Sequence, residues 1–206
     1  MAAHQLLLAT RNQGKIAEFR RILDRVAAGE IELIGLDRFP DLHDVAETGA
    51  TFEENALLKA RAASMATGLA AIADDSGLCV DALNGDPGIY SARWSGVHGD
   101  DLKNTAKVLA QLTDVPAADR SAHFTCVAAL FLPDGRSHTV ESRFDGWILC
   151  DPVGDQGFGY DPIFRPQGYE ISSGQMSANE KDAISHRGKS LRAIAPTVIE
   201  MLRTLG

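Results

Sequence analysis

The first third of the chain switches hydrophobic period again and again. Gln5 to Ala9 is an apolar run of strand length. Gly14 to Val26 then places Ile16, Phe19, Leu23 and Val26 on one helical face. Ile31 to Gly35 reads as a second strand, Thr51 to Ala66 as an Ala- and Leu-rich helix, and Ala70 to Asp74 as a third strand. Thr51 and Glu54 have the T-x-x-E spacing of a capping box at that helix start. Farther on, Leu78 to Leu83 is a short apolar stretch and Asp100 to Leu112 looks helical. Ala122 to Leu132 and Ser137 to Leu149 flank "PDGR", the pattern of a hairpin. Ser185 to Leu205 reads as a final helix capped by Ser185, with a bend or break at Pro196. Early alternation followed by a late hairpin predicts an α/β fold with a mixed central sheet flanked by helices. At 206 residues the chain fits one domain, residues 1–206, with room for two lobes.

Charge narrows the function classes. Twenty Lys and Arg against 28 Asp and Glu give a net charge of −8, which argues against a broad polynucleotide- or membrane-binding face. A small anionic ligand stays compatible, because a few placed cations or a metal override the global sign locally. Cys79, Cys126 and Cys150 form no C-x-x-C pair and no zinc pattern, so free thiols in a reducing cytoplasm are expected. The four-residue apolar core near the N-terminus is too short for a signal peptide, and no apolar run approaches a membrane span of about 18 residues.

Five segments carry residue types suited to chemistry. "TRNQGK", Thr10 to Lys15, joins a strand to a helix, where free backbone N–H groups and a positive dipole end suit phosphate. It is not a Walker A loop, since Ile16 stands where Ser or Thr would hold a metal; an ordinary turn capped by Asn12 fits as well. Glu47, in "AETG", is a loop carboxylate ahead of a capped helix, available to a metal or simply solvated. "ADDSGL" puts Asp74 and Asp75 at the end of a buried strand. On an extended chain the two point to opposite faces, so at most one reaches a given site directly. A D-S-G turn and a Mg²⁺-ligating carboxylate are both open readings there. "GDQGFGYDPIF" offers Gly157 and Gly159 for close backbone approach and Phe158 and Tyr160 for stacking on a flat heterocycle, or else closes a hairpin. Lys181, His186, Arg187, Lys189 and Arg192 concentrate cationic groups within twelve residues; "SHR" suits an anion or a base edge, while Lys189 and Arg192 fit a solvated face.

In this order and spacing, "TRNQGK", "ETGATFEENALLKA", "ADDSGLCVDALNGDPGIYSARWSG", "FGYDPIF" and "EKDAISHRGKSLR" resemble the Ham1-like, or inosine triphosphate pyrophosphatase, family over nearly the whole chain. The resemblance implies a Mg²⁺-dependent enzyme that splits ITP, dITP and XTP into the monophosphate and pyrophosphate. It also implies an elongated two-lobed fold with a central cleft, a homodimer and a cytoplasmic location. It assigns Asp75 as catalytic carboxylate and metal ligand, and Glu47 as a second metal ligand. Thr10, Arg11, Asn12, Gln13, Gly14 and Lys15 would hold the triphosphate, Arg11 and Gln13 through their backbone. Ser76 would touch substrate; Phe158, Gly159, Tyr160 and Asp161 would contact the nucleotide; Lys181 would reach the ligand, and His186 with Arg187 the base.

Overall fold

The computed structural model describes residues 3–27 and 29–205. Among them, six strands form one sheet in the order β2-β1-β3-β4-β5-β6: β1 (His4–Leu8), β2 (Ile31–Gly35), β3 (Ala71–Val80), β4 (Ser121–Phe131), β5 (Ser137–Ile148) and β6 (Phe164–Pro166). β1 runs parallel to both β2 and β3, and β6 antiparallel to β5, so the sheet is mixed as the alternating pattern predicts. The helices are α1 (Gln13–Val26), α2 (Phe52–Thr67), α3 (Asp101–Gln111), α4 (Ala178–Ile184) and α5 (His186–Arg203).

The chain divides into two compact units and passes between them within β3, β4 and β5 and at the start of α5. One contains residues 1–75, 126–142 and 187–206; the other contains 76–125 and 143–186. In the first unit, strand alternation sorts the core into two layers. Leu6, Leu8, Ile72, Ala128 and Leu130 pack with Phe19, Ile22 and Leu23 of α1 and Leu191, Ile194 and Val198 of α5. The intervening residues Leu7, Ala71, Ala73, Val127 and Ala129 pack on the other face, with Ala56, Ala60 and Ala63 of α2. The small α2 residues let that helix lie close to the sheet. The second unit has its own core, built from Leu78, Val80, Val108, Leu112, Phe124, Phe144, Ile163 and Phe164 among others.

Three local expectations change. There is no D-S-G turn: β3 runs unbroken from Ala71 to Val80, because its residues are buried on both faces and its two carboxylates find cationic partners. The final helix, α5, runs His186–Arg203 much as the pattern predicts, but a further helix, α4, precedes it where the sequence pattern placed none. Ser177 and Glu180 form a capping box that starts α4, and Ser185, extended with ψ 160°, ends that helix. Pro196 does not break α5; it faces solvent, where water can satisfy the carbonyl a proline leaves unbonded. At α2, Thr51 Oγ1 accepts the Glu54 N–H (3.1 Å) as the spacing predicts, while the Glu54 carboxylate takes the N–H of Ala50 at 2.6 Å. The three cysteines are free thiols.

Candidate active site

β3 delivers two carboxylates to two environments in the first unit. Asp74 continues the face of Ile72 and points toward α1 and α5; Asp75 continues the face of Ala73 and points toward α2. Both are buried, Asp74 at 1% and Asp75 at 6% exposure.

On the α2 side, Asn55 and Lys59 lie one helical turn apart and both reach Asp75. The Lys59 ammonium sits between Asp75 Oδ1 (3.0 Å) and Glu47 Oε1 (2.7 Å). Asn55 is buried, and its Nδ2 is 3.4 Å from Asp75 Oδ2. Its Oδ1 accepts the Gly49 N–H at 2.8 Å and so ties the Glu47 loop to the helix. Glycine is needed at 49 because a Cβ there would lie 2.7 Å from both Asn55 Oδ1 and Glu54 Cβ. Burial pushes the Asp75 carboxyl above its ordinary value, against the pull of the Lys59 and Lys15 charges. Burial works against the Lys59 ammonium, but the charges of Asp75, Asp74 and Glu47 outweigh it and hold its proton more tightly than usual.

On the opposite face, Asp74 Oδ2 accepts from Arg187 Nε (3.1 Å) and Nη2 (3.0 Å) and pairs with Lys15 Nζ at 3.0 Å. Arg187 also pairs with Glu18 of α1. Burial alone would raise the Asp74 carboxyl; the Lys15 and Arg187 cations overcome it and hold the group well below the usual carboxylate range. Arg187 is among the most deeply buried large side chains, committed to these two carboxylates, so the first unit places its guanidinium behind the strand.

The Thr10–Lys15 segment turns from β1 into α1. Asn12 caps the helix by accepting the Lys15 N–H (3.0 Å), and Thr10 Oγ1 accepts the Asn12 N–H (3.2 Å). The Arg11 side chain turns away to Asp44 (3.0 Å) and the Leu42 carbonyl (2.6 Å). Gln13 Nε2 is 3.4 Å from the Arg11 carbonyl, and Gly14 lies in the first turn. The Arg11 and Gln13 side chains are thus engaged within the protein.

In the second unit, Ser76 follows on β3, half-buried. Asp161 is buried, pairs with Lys181 of α4, and accepts the Phe158 N–H at 2.9 Å. The Lys181 ammonium lies 4.9 Å from the centre of the Phe158 ring. Gly157, at φ +78°, carries no side chain because a Cβ would stand 2.1 Å from Asp161 Oδ2. Tyr160 is buried and donates to the Ser91 carbonyl at 2.8 Å. The His186 ring is buried and stacks on Phe124, with centroids 4.8 Å apart and planes 8° apart.

The reading of single motifs missed Lys59 and Asn55. Their positions four apart on the polar edge of an Ala-rich helix were a visible signal, but nothing in the sequence links them to Asp75. The donor set suits a divalent metal in one respect: Asp75 and Glu47 already converge on one cation, and Mg²⁺ is commonly held by one or two carboxylates plus substrate phosphates. Among the described residues no cluster of three or more His, Cys, Asp or Glu could hold an ion without such help.

The chain is similar to known proteins over nearly its whole length. A curated dITP/XTP pyrophosphatase of Streptomyces avermitilis is 56% identical over 198 residues, 96% of this chain and 98% of that one. A second, from Nocardia farcinica, is 50% identical over 96% of each chain. A Mycobacterium abscessus structure described as nucleoside-triphosphatase / dITP/XTP pyrophosphatase aligns with TM-score 0.75 at 50% identity, covering 94% of this chain and 99% of that one. A HAM1 protein from Coxiella burnetii aligns at 0.85 and 39% identity, covering 96% and 99%. Residues 6–197 match the pattern of the Ham1 family, and with that extent of agreement the chain belongs to it.

Proposed function

We propose that this protein is a nucleoside-triphosphate pyrophosphatase that hydrolyses dITP, ITP and XTP to the monophosphate and pyrophosphate, so that deaminated purines are not incorporated into nucleic acid. The observation that carries the reading is the pair Asp75 and Glu47 converging on one cation, beside a strand-to-helix loop that ends in Lys15. We further propose Mg²⁺ as the metal, held by Asp75 with Glu47, and a homodimer acting in the cytoplasm. No helix of the described residues is long and apolar enough to cross a membrane.

When bound, the metal supplies charge neutralisation on the phosphates and a more acidic water. The chain's own groups do the rest. Backbone N–H groups of Thr10 to Lys15 and the Lys15 ammonium hold phosphate oxygens in line for attack. Lys59 is held by two carboxylates, within reach of a phosphate that approaches Asp75. Water forms a bond to the α phosphorus, the bond from that phosphorus to the α–β bridging oxygen breaks with its electrons leaving on pyrophosphate, and Asp75 takes the proton that the water loses. Burial raises the Asp75 carboxyl, but a metal held beside it would weaken it as a base, so proton removal would lean on the metal's acidification of the water.

In the second unit, the half-buried Phe158 offers a face for a flat base. The Tyr160 ring is buried in the core, against the expectation that it stacks, and leaves only its backbone. Ser76, Gly159, Asp161, Lys181 and His186 are proposed as nucleotide contacts. The resemblance groups Arg187 with His186 as a base contact; its pairing with Asp74 and Glu18 favours a supporting role instead. Hypoxanthine and xanthine present an oxygen at C6 where adenine presents an amino group. A site that donates to O6 meets adenine donor against donor, a mismatch worth up to ~10⁴-fold. The test is pyrophosphate release from dITP, XTP, ITP, dATP and dGTP, with Mg²⁺ and with chelator. Expected are turnover of the first three far above the last two and its loss on chelation. Diphosphate plus orthophosphate as products, or equal kcat/KM for dATP, would refute the reading.

A further inference from the structure

Gly159 sits in the left-handed region, φ +63°, and both ends of its peptide are held by α3. Its N–H donates to Asp101 Oδ2 at 2.8 Å, and its carbonyl is 3.5 Å from Thr105 Oγ1, one turn along the helix. Asp101 is not needed as the cap of α3. Asp100 fills that position, its Oδ1 accepting the Lys103 N–H at 3.1 Å. The second carboxylate is thus left over for a target outside the helix. Burial and then the Asp101 charge push the neighbouring Tyr160 phenol above its ordinary value, in line with a carboxylate held close to this loop. The Tyr160 hydroxyl is fixed in turn on Ser91, whose Oγ accepts the Leu78 N–H at 2.9 Å and donates to the Gly88 carbonyl at 2.6 Å.

We propose that Asp101, assisted by Thr105, is a positioning residue for nucleotide binding: it clamps the Gly159 peptide and so sets the pose of the Phe158 ring and of Lys181 beside it. This rests on the reading of Phe158–Asp161 as a nucleotide-contacting segment. A loop with two left-handed glycines, Gly157 and Gly159, has much backbone freedom to lose. Fixing its centre from a helix removes that loss before the ligand arrives, and such preorganisation is felt in binding rather than in the chemical step.

The experiment compares Asp101→Ala, Asp101→Asn and Thr105→Val in steady-state turnover of dITP, with amide hydrogen exchange at Gly159 and thermal unfolding. For Asp101→Ala, KM should rise about 5- to 10-fold with kcat within about 2-fold, as for loss of a charge-assisted hydrogen bond used in binding. Gly159 should exchange faster. Asp101→Asn keeps an acceptor oxygen and should stay near wild type in both; Thr105→Val should show a smaller rise in KM. Unchanged KM or unchanged Gly159 exchange in Asp101→Ala overturns the proposal, as does a lower melting temperature with no change in KM. Failure of the wild-type protein to turn over dITP and XTP would instead sink the functional reading, and the Gly159 exchange still decides whether the clamp exists.

Discussion

Asp74 and Asp75 share a peptide bond and almost no environment. Asp75 faces a lysine held between two carboxylates, and burial raises its carboxyl. Asp74 faces Lys15 and a fully buried Arg187, and is held in its charged form. It holds Lys15 at the end of the loop proposed to bind phosphate and balances Arg187. Asp74→Asn removes one member of a buried ion-paired group and should cost about 3–5 kcal/mol of stability, read by urea unfolding at pH 7. The sign of its pH dependence is set by the direction of the shift. A carboxyl lowered in the folded state contributes stability that is full above its unfolded pKa, about 3.9, and is lost as pH falls through the folded value. The gap between wild type and Asp74→Asn should therefore hold from neutrality down to about pH 4 and narrow only below it. A gap that closes near pH 6 would contradict this account of Asp74.

At the scale of elements, the site depends on how α2 meets the Glu47 loop. Gly49 lies against Asn55 and Glu54, so Gly49→Ala forces the loop off the helix start. It should destabilise by about 1–3 kcal/mol, as overpacking does. It should also lower dITP turnover by displacing Glu47; wild-type activity in that variant would separate Glu47 from the chemistry. The elements themselves were largely legible. The strand at Ile31–Gly35 has the bounds the pattern predicts, and Gln13–Val26 and Phe52–Thr67 differ from prediction by a residue at their ends. Asp-Ser-Gly left two readings open, because turn chemistry and a continued buried strand use the same residues and only distant partners decide between them. Those partners, Lys15 and Arg187, lie 59 and 113 residues from Asp74. The S-x-x-E signature at Ser177–Glu180 was present and marks the start of α4, which carries Lys181.

For the whole molecule, what the sequence conveys is which residues are reactive, and what the fold adds is how they are grouped. Order and spacing of five motifs suffice for the family. They do not tell that Lys59 completes the carboxylate pair or that Arg187 lies behind the strand, since both facts follow from which face of β3 each helix covers. The first unit holds the Asp74, Asp75, Glu47, Lys15 and Lys59 charges proposed for phosphate chemistry, and the second holds an aromatic segment with its own buried ion pair. The account turns on Asp75 as the reacting carboxylate. Its most direct test is the rate of pyrophosphate release from dITP by Asp75→Asn at saturating Mg²⁺, with near-wild-type circular dichroism as the check on folding. The account predicts a fall in kcat of about 10³-fold or more, the scale of losing a catalytic base together with a metal ligand; a folded Asp75→Asn protein with kcat near wild type would contradict it.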